Sequence, residues 1–309
     1  MFNINRLRIL REIAARGSLT AAAEALYLSP SAVSQQMAVL EREAGVQLLD
    51  RVGRGVRLTV AGDHLVAHTE RVFAVLEEAR ADLDEISAGI AGPLHTCAFP
   101  TAARALLVPA LSRLRARHPR IAPTMNDLEP EESMPLLKLG ELDVIISYGY
   151  DRLPERRDPG TERLHLMTEP IDIALPADHP MAHSKTPLRL ADLSTEQWIV
   201  GRDGSPFMDV MVRLAAEAGF EARVDLHSND FQVILAAVAE GLGVALVPPL
   251  ARFAEYPRVV FRRPADVDVN REVVAVIRRG SGRSPAIAAL LDALREAAAT
   301  AGHTTTRRR

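Results

Sequence analysis

The sequence predicts an α/β chain with a small all-helical head, a long connecting helix and a larger body of alternating strands and helices. Three observations predict it. Up to about residue 44 the apolar residues recur at helical spacing. From Ala61 to Ile90 a narrow apolar seam follows steps of three and four. After Pro93, short strand-like runs alternate with helical stretches, a pattern that argues for a parallel sheet covered by helices. At 309 residues the chain is too long for one ordinary core.

In the head, Ile4, Leu7, Leu10 and Ile13 mark a first helix that Gly17 stops. Ser18 can cap a second helix over Leu19 to Leu26, and Tyr27-Leu28 makes a turn. Ser29-Pro30 is a strong start for a third helix, a hydroxyl cap followed by proline at the first helical position. That helix runs to about Ala44 with Val33, Met37 and Leu40 inward. Leu48 to Thr59 reads as a β-hairpin carrying Arg51, Arg54 and Arg57 at its tip. The linker seam of Leu65, Val72, Leu76, Leu83 and Ile86 is the kind that pairs with a second helix.

In the body, strands are expected at Leu94–Phe99, Ile121–Leu128 and Asp143–Ser147, with helices at Ala102–Arg117 and Glu131–Leu139. A second group follows: strands at Ile171–Leu175, Trp198–Val200, Val224–Leu226, Val244–Val247 and Val273–Ile277. Helices are expected at Phe207–Ala218, Phe231–Glu240 and Ala286–Ala299, and residues 304–309 as a disordered tail.

Composition narrows the function. The net charge is −3, yet the segment through Gly62 holds eight arginines against five acids, a basic head on an acidic body that fits a DNA-binding module. The single cysteine, Cys97, excludes an internal disulfide or a multi-cysteine zinc site, and its apolar neighbours suit a buried thiol in a reducing cytosol. No secretory leader and no apolar run of membrane length is read, so a cytoplasmic location without membrane contact is expected. HExxH, GxSxG and the GxxxxGK[ST] loop are all missing, and His64 and His68 lack the intervening Glu of a zinc site. No catalytic residue, cofactor or metal is expected.

Two short helices joined by a turn form a helix-turn-helix, whose second helix can enter the major groove. Its N-terminal end presents Ser31, Ser34, Gln35 and Gln36. Gln pairs bidentately with adenine, and Ser bonds bases or phosphate. Ser18 and Thr20 can hold a phosphate at a helix start. Arg51, Arg54 and Arg57 would meet phosphates or the minor groove.

These residues also carry a family likeness. Gly17-Ser18-Leu19-Thr20-Ala21-Ala22-Ala23-Glu24-Ala25-Leu26, Ser29-Pro30-Ser31-Ala32-Val33-Ser34-Gln35-Gln36-Met37, Leu40-Glu41, Gly45-Val46-Gln47-Leu48, Leu49-Asp50-Arg51 and Leu58-Thr59-Val60-Ala61-Gly62 together resemble the signature of LysR-type transcriptional regulators. The chain departs from the signature at Pro30-Ser31, where the family usually has Gln-Pro, at Gln35, where Arg is frequent, and at Val60, where Pro is frequent. The likeness continues more loosely through Leu107-Val108-Pro109, Leu142-Asp143-Val144-Ile145-Ile146, Leu175-Pro176-Ala177-Asp178-His179-Pro180 and Gly241 to Pro248.

The resemblance implies a winged helix-turn-helix over residues 1–60, a dimerisation helix over 61–90 and an effector-binding domain over 91–303. That domain would resemble periplasmic binding proteins, with lobe I at 91–168 and 267–303 and lobe II at 169–266. The implied partners are double-stranded promoter DNA, a small-molecule effector in the interlobe cleft, further copies in a homodimer or homotetramer, and RNA polymerase as a candidate. Sheets of this kind bind ligands beyond strand ends, often at helix N-termini. On that ground Thr101, Ser147, Arg202, Ser205 and Asn229 are the expected contacts for a polar or anionic effector.

Overall fold

The computed structural model describes residues 1–52, 55–88, 91–154, 158–252 and 256–307. The head holds α1 (Ile4–Arg16), α2 (Leu19–Ala25) and α3 (Pro30–Ala44), followed by a hairpin of β1 (Leu49–Val52) and β2 (Gly55–Leu58). Leu10, Ile13, Ala22, Ala23, Val33, Met37, Leu40 and Leu48 form its core. Glu41 fastens the hairpin to α3 by accepting from the Leu48 and Leu49 amides at 2.9 and 3.1 Å. Thr59 opens the next helix: its hydroxyl donates to the Gln47 carbonyl at 2.8 Å and accepts from the Gly62 amide at 3.0 Å. Gly62 is required there, because a Cβ would lie 2.2 Å from the Leu48 carbonyl oxygen.

The linker is α4 (Val60–Ala88), 29 residues long. One side of it packs on the chain's own body. Glu77 accepts from the buried Arg278 at 2.9 Å, and Arg278 also pairs with Asp143 at 3.1 Å and donates to the Leu137 carbonyl. From the head, Arg11 donates to the Lys138 carbonyl at 3.1 Å and lies over Phe73 of α4, its guanidinium carbon 4.7 Å from the ring centre. Head, linker and body therefore meet at one partly buried charged seam.

The body begins with β3 (Gly92–Ala98), α5 (Pro100–Ala102), a π-helical turn (Ala103–Leu107) and α6 (Val108–Arg117). β4 (Ile121–Asp127), α7 (Pro130–Leu139), β5 (Val144–Tyr150) and β6 (Thr161–Pro170) follow. The second group comprises β7 (Asp172–Pro176), β8 (Gln197–Val200), α8 (Pro206–Glu217), β9 (Arg223–His227), α9 (Phe231–Ala239), β10 (Ala245–Val247) and β11 (Val259–Arg262). The chain then returns through β12 (Asn270–Arg278) to α10 (Pro285–Arg307).

The lobe I sheet has the order β4-β3-β5-β12-β6. It is mixed rather than parallel: β3 runs parallel to β4 and β5, and β12 runs antiparallel to β5 and β6. The reason is the connection. β6 leaves for lobe II and β12 comes back, so this pair cannot be a β-helix-β crossover. Lobe II has an antiparallel β10-β7-β11 sheet and a parallel β8-β9 pair, around a core that includes Trp198, Leu214, Ile234 and Val247.

The sequence reading contains no strand at β6 or β11. β6 reads Thr-Glu-Arg-Leu-His-Leu-Met-Thr-Glu-Pro and lies at the sheet edge with most side chains only half-buried, so its apolar content is low for a strand. Thr304, Thr305 and Thr306, expected in a disordered tail, instead extend α10 to Arg307. The helix passes Gly302 because the preceding alanine-rich turns favour propagation.

Candidate DNA-reading face and effector cleft

The turn between α2 and α3 places Tyr27 at φ 53°, a left-handed conformation uncommon outside glycine. Ser29 then caps α3 by accepting from the Ala32 amide at 3.2 Å, with Pro30 behind it. Burying Val33, Met37 and Leu40 rotates Ser31, Ser34 and Gln35 outward, and all three are exposed. Thr20 is exposed on α2, and Arg57 on β2. Arg54 lies outside the described residues, as do the side chains of Arg51 and Ile86.

Three of the expected DNA contacts are engaged within the head, Ser31 among them through a 3.0 Å hydroxyl–hydroxyl bond with Ser29. Ser18 caps α2 through the Ala21 amide at 3.4 Å. Gln36, one step of about 100° past the exposed face, is half-buried and accepts from Arg6 Nε at 3.0 Å. Arg6 is held in turn by Glu43. Gln36 thus braces α3 on α1 instead of joining Ser34 and Gln35.

On α4, Val72, Leu76 and Leu83 are 42%, 45% and 65% exposed, with Val75 beside them at 60%. Leu65 differs from the expectation: it packs on the head core beside residues such as Phe73 and Leu58. The start of α4 crosses the head, so the residue in phase with the seam is covered there by the chain itself.

Between the lobes, a cleft is lined by Phe99, Pro100, Thr101, Glu129, Tyr148, Tyr150, Phe207, Asn229, Phe231 and Arg271, with about 10 Å³ of free space. Thr101 and Asn229 come together here. Ser205 and Arg202 stand beside it on the Gly201 loop: Asn229 accepts from the Arg202 amide at 3.0 Å, and Ser205 caps α8 through the Met208 amide at 3.2 Å. The Arg202 side chain is exposed. Asp230, not Asn229, caps α9.

Ser147 does not line this cleft. Strand side chains alternate between faces. Ile146 and Tyr148 pack on the α10 side of the sheet, whereas Ile145, two residues before Ser147, packs against Leu137 and Cys97 on the other. Cys97 is fully buried there, and desolvation pushes its thiol up to about 11.

The centre of the cleft was not foreseen in the sequence. Arg271 is 1% exposed and bonds Glu169 Oε1 through Nε at 2.7 Å and through Nη2 at 2.5 Å. Its Nη2 also donates to Thr101 Oγ1 at 3.2 Å. Glu169 is itself 1% exposed, and its other oxygen accepts from the Leu250 amide at 2.8 Å. The Arg271 guanidinium lies 5.0 Å from the Phe99 ring centre and 5.4 Å from that of Tyr148. Alternation offered a signal: Arg271, Val273, Ala275 and Ile277 share one face of β12, and the last three are core.

Glu129 belongs to an acidic run that reads as a solvated helix start. In the fold it precedes α7 and accepts from the Tyr148 hydroxyl at 3.2 Å. Burial, then the neighbouring Glu131, push its carboxyl up to about 7. The folded chain therefore holds this proton where the unfolded chain, ionising near 4.5, has lost it. The group's contribution to stability is fully present below pH 4.5 and is lost as pH rises through 7. Glu129→Gln is expected to match wild type at pH 4.5 and to exceed it by about 2 kcal/mol at pH 8. Urea unfolding at the two pH values reads this out, and equal differences at both would contradict it.

A larger groove of about 970 Å³ lies on lobe I near the end of α4. It carries four arginines against four acids and is wide open, so it offers neither a net field nor a dry interior. Among the described residues no cluster could hold a metal ion, and no helix is long and apolar enough to cross a membrane.

A capped helix with an exposed polar face, a two-stranded wing and a two-lobed domain with an interlobe cleft define a ligand-responsive DNA-binding protein. The family model for the bacterial regulatory helix-turn-helix protein, lysR family, matches residues 4–63, and that for the LysR substrate binding domain matches residues 87–299. The chain belongs to the LysR family and is a DNA-binding transcriptional regulator with an effector-binding domain. It is 27% identical over 277 residues to the transcriptional dual regulator GltC of Bacillus subtilis, covering 89% of this chain and 90% of GltC. The fold matches the Corynebacterium glutamicum OxyR C206 mutant with a TM-score of 0.62 at 26% identity, over 99% and 94% of the two chains. It also matches CbnR complexed with its target DNA with a TM-score of 0.55 at 24% identity, over 96% and 100%.

Proposed function

We propose that this regulator reads promoter DNA with Ser31, Ser34 and Gln35 of α3, supported by Thr20 on α2 and by the arginines of the hairpin. The observation that carries the reading is the outward face of α3: three polar side chains, all exposed, beside a wing and behind a capped start. Residues 1–60 form the reading head, 61–90 the dimerising linker and 91–303 the sensor, whose effector sits between the lobes at Thr101 and Asn229. Two protomers pair through α4, and two such pairs form a tetramer on DNA; CbnR, which shares the fold, is known in complex with its target DNA. The protein acts in the cytoplasm by binding rather than by turnover, and RNA polymerase is its candidate protein partner.

The test is a titration against the DNA upstream of its own gene at two salt concentrations, beside Gln35→Ala. Wild type is expected to bind selectively and to weaken steeply with salt. Gln35→Ala is expected to lose about tenfold or more on the operator, one bidentate base contact, with its affinity for random DNA unchanged. Equal loss on both DNAs would assign Gln35 to general backbone contact and sink the proposed readout.

A further inference from the structure

We propose that the interlobe cleft is an aromatic cage for a small organic cation carrying an ammonium group, with Glu129 as its counter-charge. The proposal rests on the reading of this cleft as the effector site and names the ligand chemistry that site selects.

The charge count favours a cation. Arg271 is the one cationic residue lining the cleft among the described residues, and it is already committed. Glu169 takes two of its nitrogens and Thr101 one of the same nitrogens. An anionic effector would have to break a pair in which both members are 1% exposed, leaving a charge buried without its partner. Among the described residues no cation is bonded to Glu129: its carboxyl accepts from the neutral Tyr148 hydroxyl of the same lobe. An entering anion would face this carboxyl, and an entering ammonium would complete it.

The lining has the matching chemistry. The chain is poor in aromatics, with one Trp, four Tyr and eight Phe, yet five of these thirteen rings line this one cleft. They come from both lobes: Phe99, Tyr148 and Tyr150 from lobe I, Phe207 and Phe231 from lobe II. Phe99 meets Tyr148 edge-on at 4.7 Å, Tyr148 meets Tyr150 at 5.8 Å, and Phe207 lies 5.4 Å from Phe231. Ring faces attract cations through their quadrupoles, most strongly when desolvated. Arg271 already lies against Phe99 and Tyr148 in this way.

The free space of about 10 Å³ holds no more than a water. A bound ammonium ion must therefore hold the lobes further apart than they stand here. That difference gives the ligand a preference between two arrangements, which is what shifting a regulator requires.

Binding is also linked to protons. Glu129 faces Glu131 and Glu132 of its own segment, Tyr148 of β5 and Arg271 of β12. Burial holds its proton near neutral pH, and the incoming cation displaces that proton to solvent. Affinity should rise about tenfold between pH 6 and pH 8.

The experiment is calorimetric titration of the full-length protein with methylammonium, tetramethylammonium and choline. Acetate and benzoate serve as anions, and NaCl matches the ionic strength. At least one ammonium ion is expected to bind, with affinity rising from pH 6 to pH 8. Glu129→Gln should weaken it at least tenfold and abolish the pH dependence, and Phe231→Leu should weaken it three- to tenfold. Phe231→Leu protects the test should Glu129→Gln alter α7. Anion binding that Thr101→Ala removes, with no cation binding, overturns the cage while leaving the cleft as the effector site. If neither class binds, or if cations bind equally to both variants, the cage is overturned. In that case an operator titration that changes with a metabolite extract would still uphold the regulator reading.

Discussion

Arg271→Met is expected to destabilise the sensor domain by about 3–5 kcal/mol, the cost of stranding a buried charge. The stranded group is Glu169. With Arg271 gone it keeps, among the described residues, the Leu250 amide at 2.8 Å, in surroundings where it is 1% exposed. The double variant Arg271→Met with Glu169→Leu should recover most of the stability, since replacing a whole buried pair by apolar residues of similar volume is often close to neutral. Urea unfolding of wild type, the single variant and the double variant measures both effects. A single variant within 1 kcal/mol of wild type would mean that the pair is not desolvated in solution. The double variant also separates stability from function. It should fold, yet Thr101 and Tyr148 would lose the guanidinium that Arg271 places against them.

The head was legible because its signals are local. Ser18, Ser29-Pro30 and Gly45 act within one helical turn, so caps could be read directly from the chain. The outward set Ser31, Ser34 and Gln35 followed from the inward set Val33, Met37 and Leu40. The bond that Gln36 makes with Arg6 was not legible, because the two lie thirty residues apart, a separation that periodicity does not register. The packing of Leu65 on the head was hidden for the same reason: the seam is continuous in sequence, but the head partly covers its first member.

The cleft was less legible because it is assembled from six separated segments. Thr101 and Asn229 were reachable as helix starts beside strand ends. Glu169 and Arg271 were hidden: β6, which carries Glu169, does not read as a strand at all, and Arg271 lies just before the run Val273–Ile277 that does. Their pairing spans 102 residues. Ser147 shows what a one-residue step costs: on a strand it moves the side chain to the opposite face. The acidic run Asp127 to Glu132 reads first as a solvated helix start and second as a recogniser of amines, and only Tyr148 on another strand makes Glu129 different.

Leu76→Asp is expected to halve the mass of the protein's smallest stable assembly, measured by light scattering or sedimentation. Val72, Leu76 and Leu83 keep the four- and seven-residue spacing of a helix-pairing seam, and all are more than 40% exposed within the protomer. Across a two-fold axis each such residue meets its own copy or a neighbour of it, so one substitution buries two carboxylates in an apolar contact. That should weaken pairing by about a hundredfold or more. The protomer itself should be almost unaffected, because an exposed site away from caps and pairs tolerates substitution within about 0.5 kcal/mol. Leu65→Asp gives the contrast. Leu65 sits against the head core, so that variant should lose the cooperative unfolding of the head rather than mass alone. If Leu76→Asp retains its mass, α4 is not the pairing helix, and the exposed apolar seam needs another partner. If it halves the mass and also loses selective operator binding, while the head stays folded, then two heads must be held together for recognition. The linker would then set the spacing at which the DNA is read.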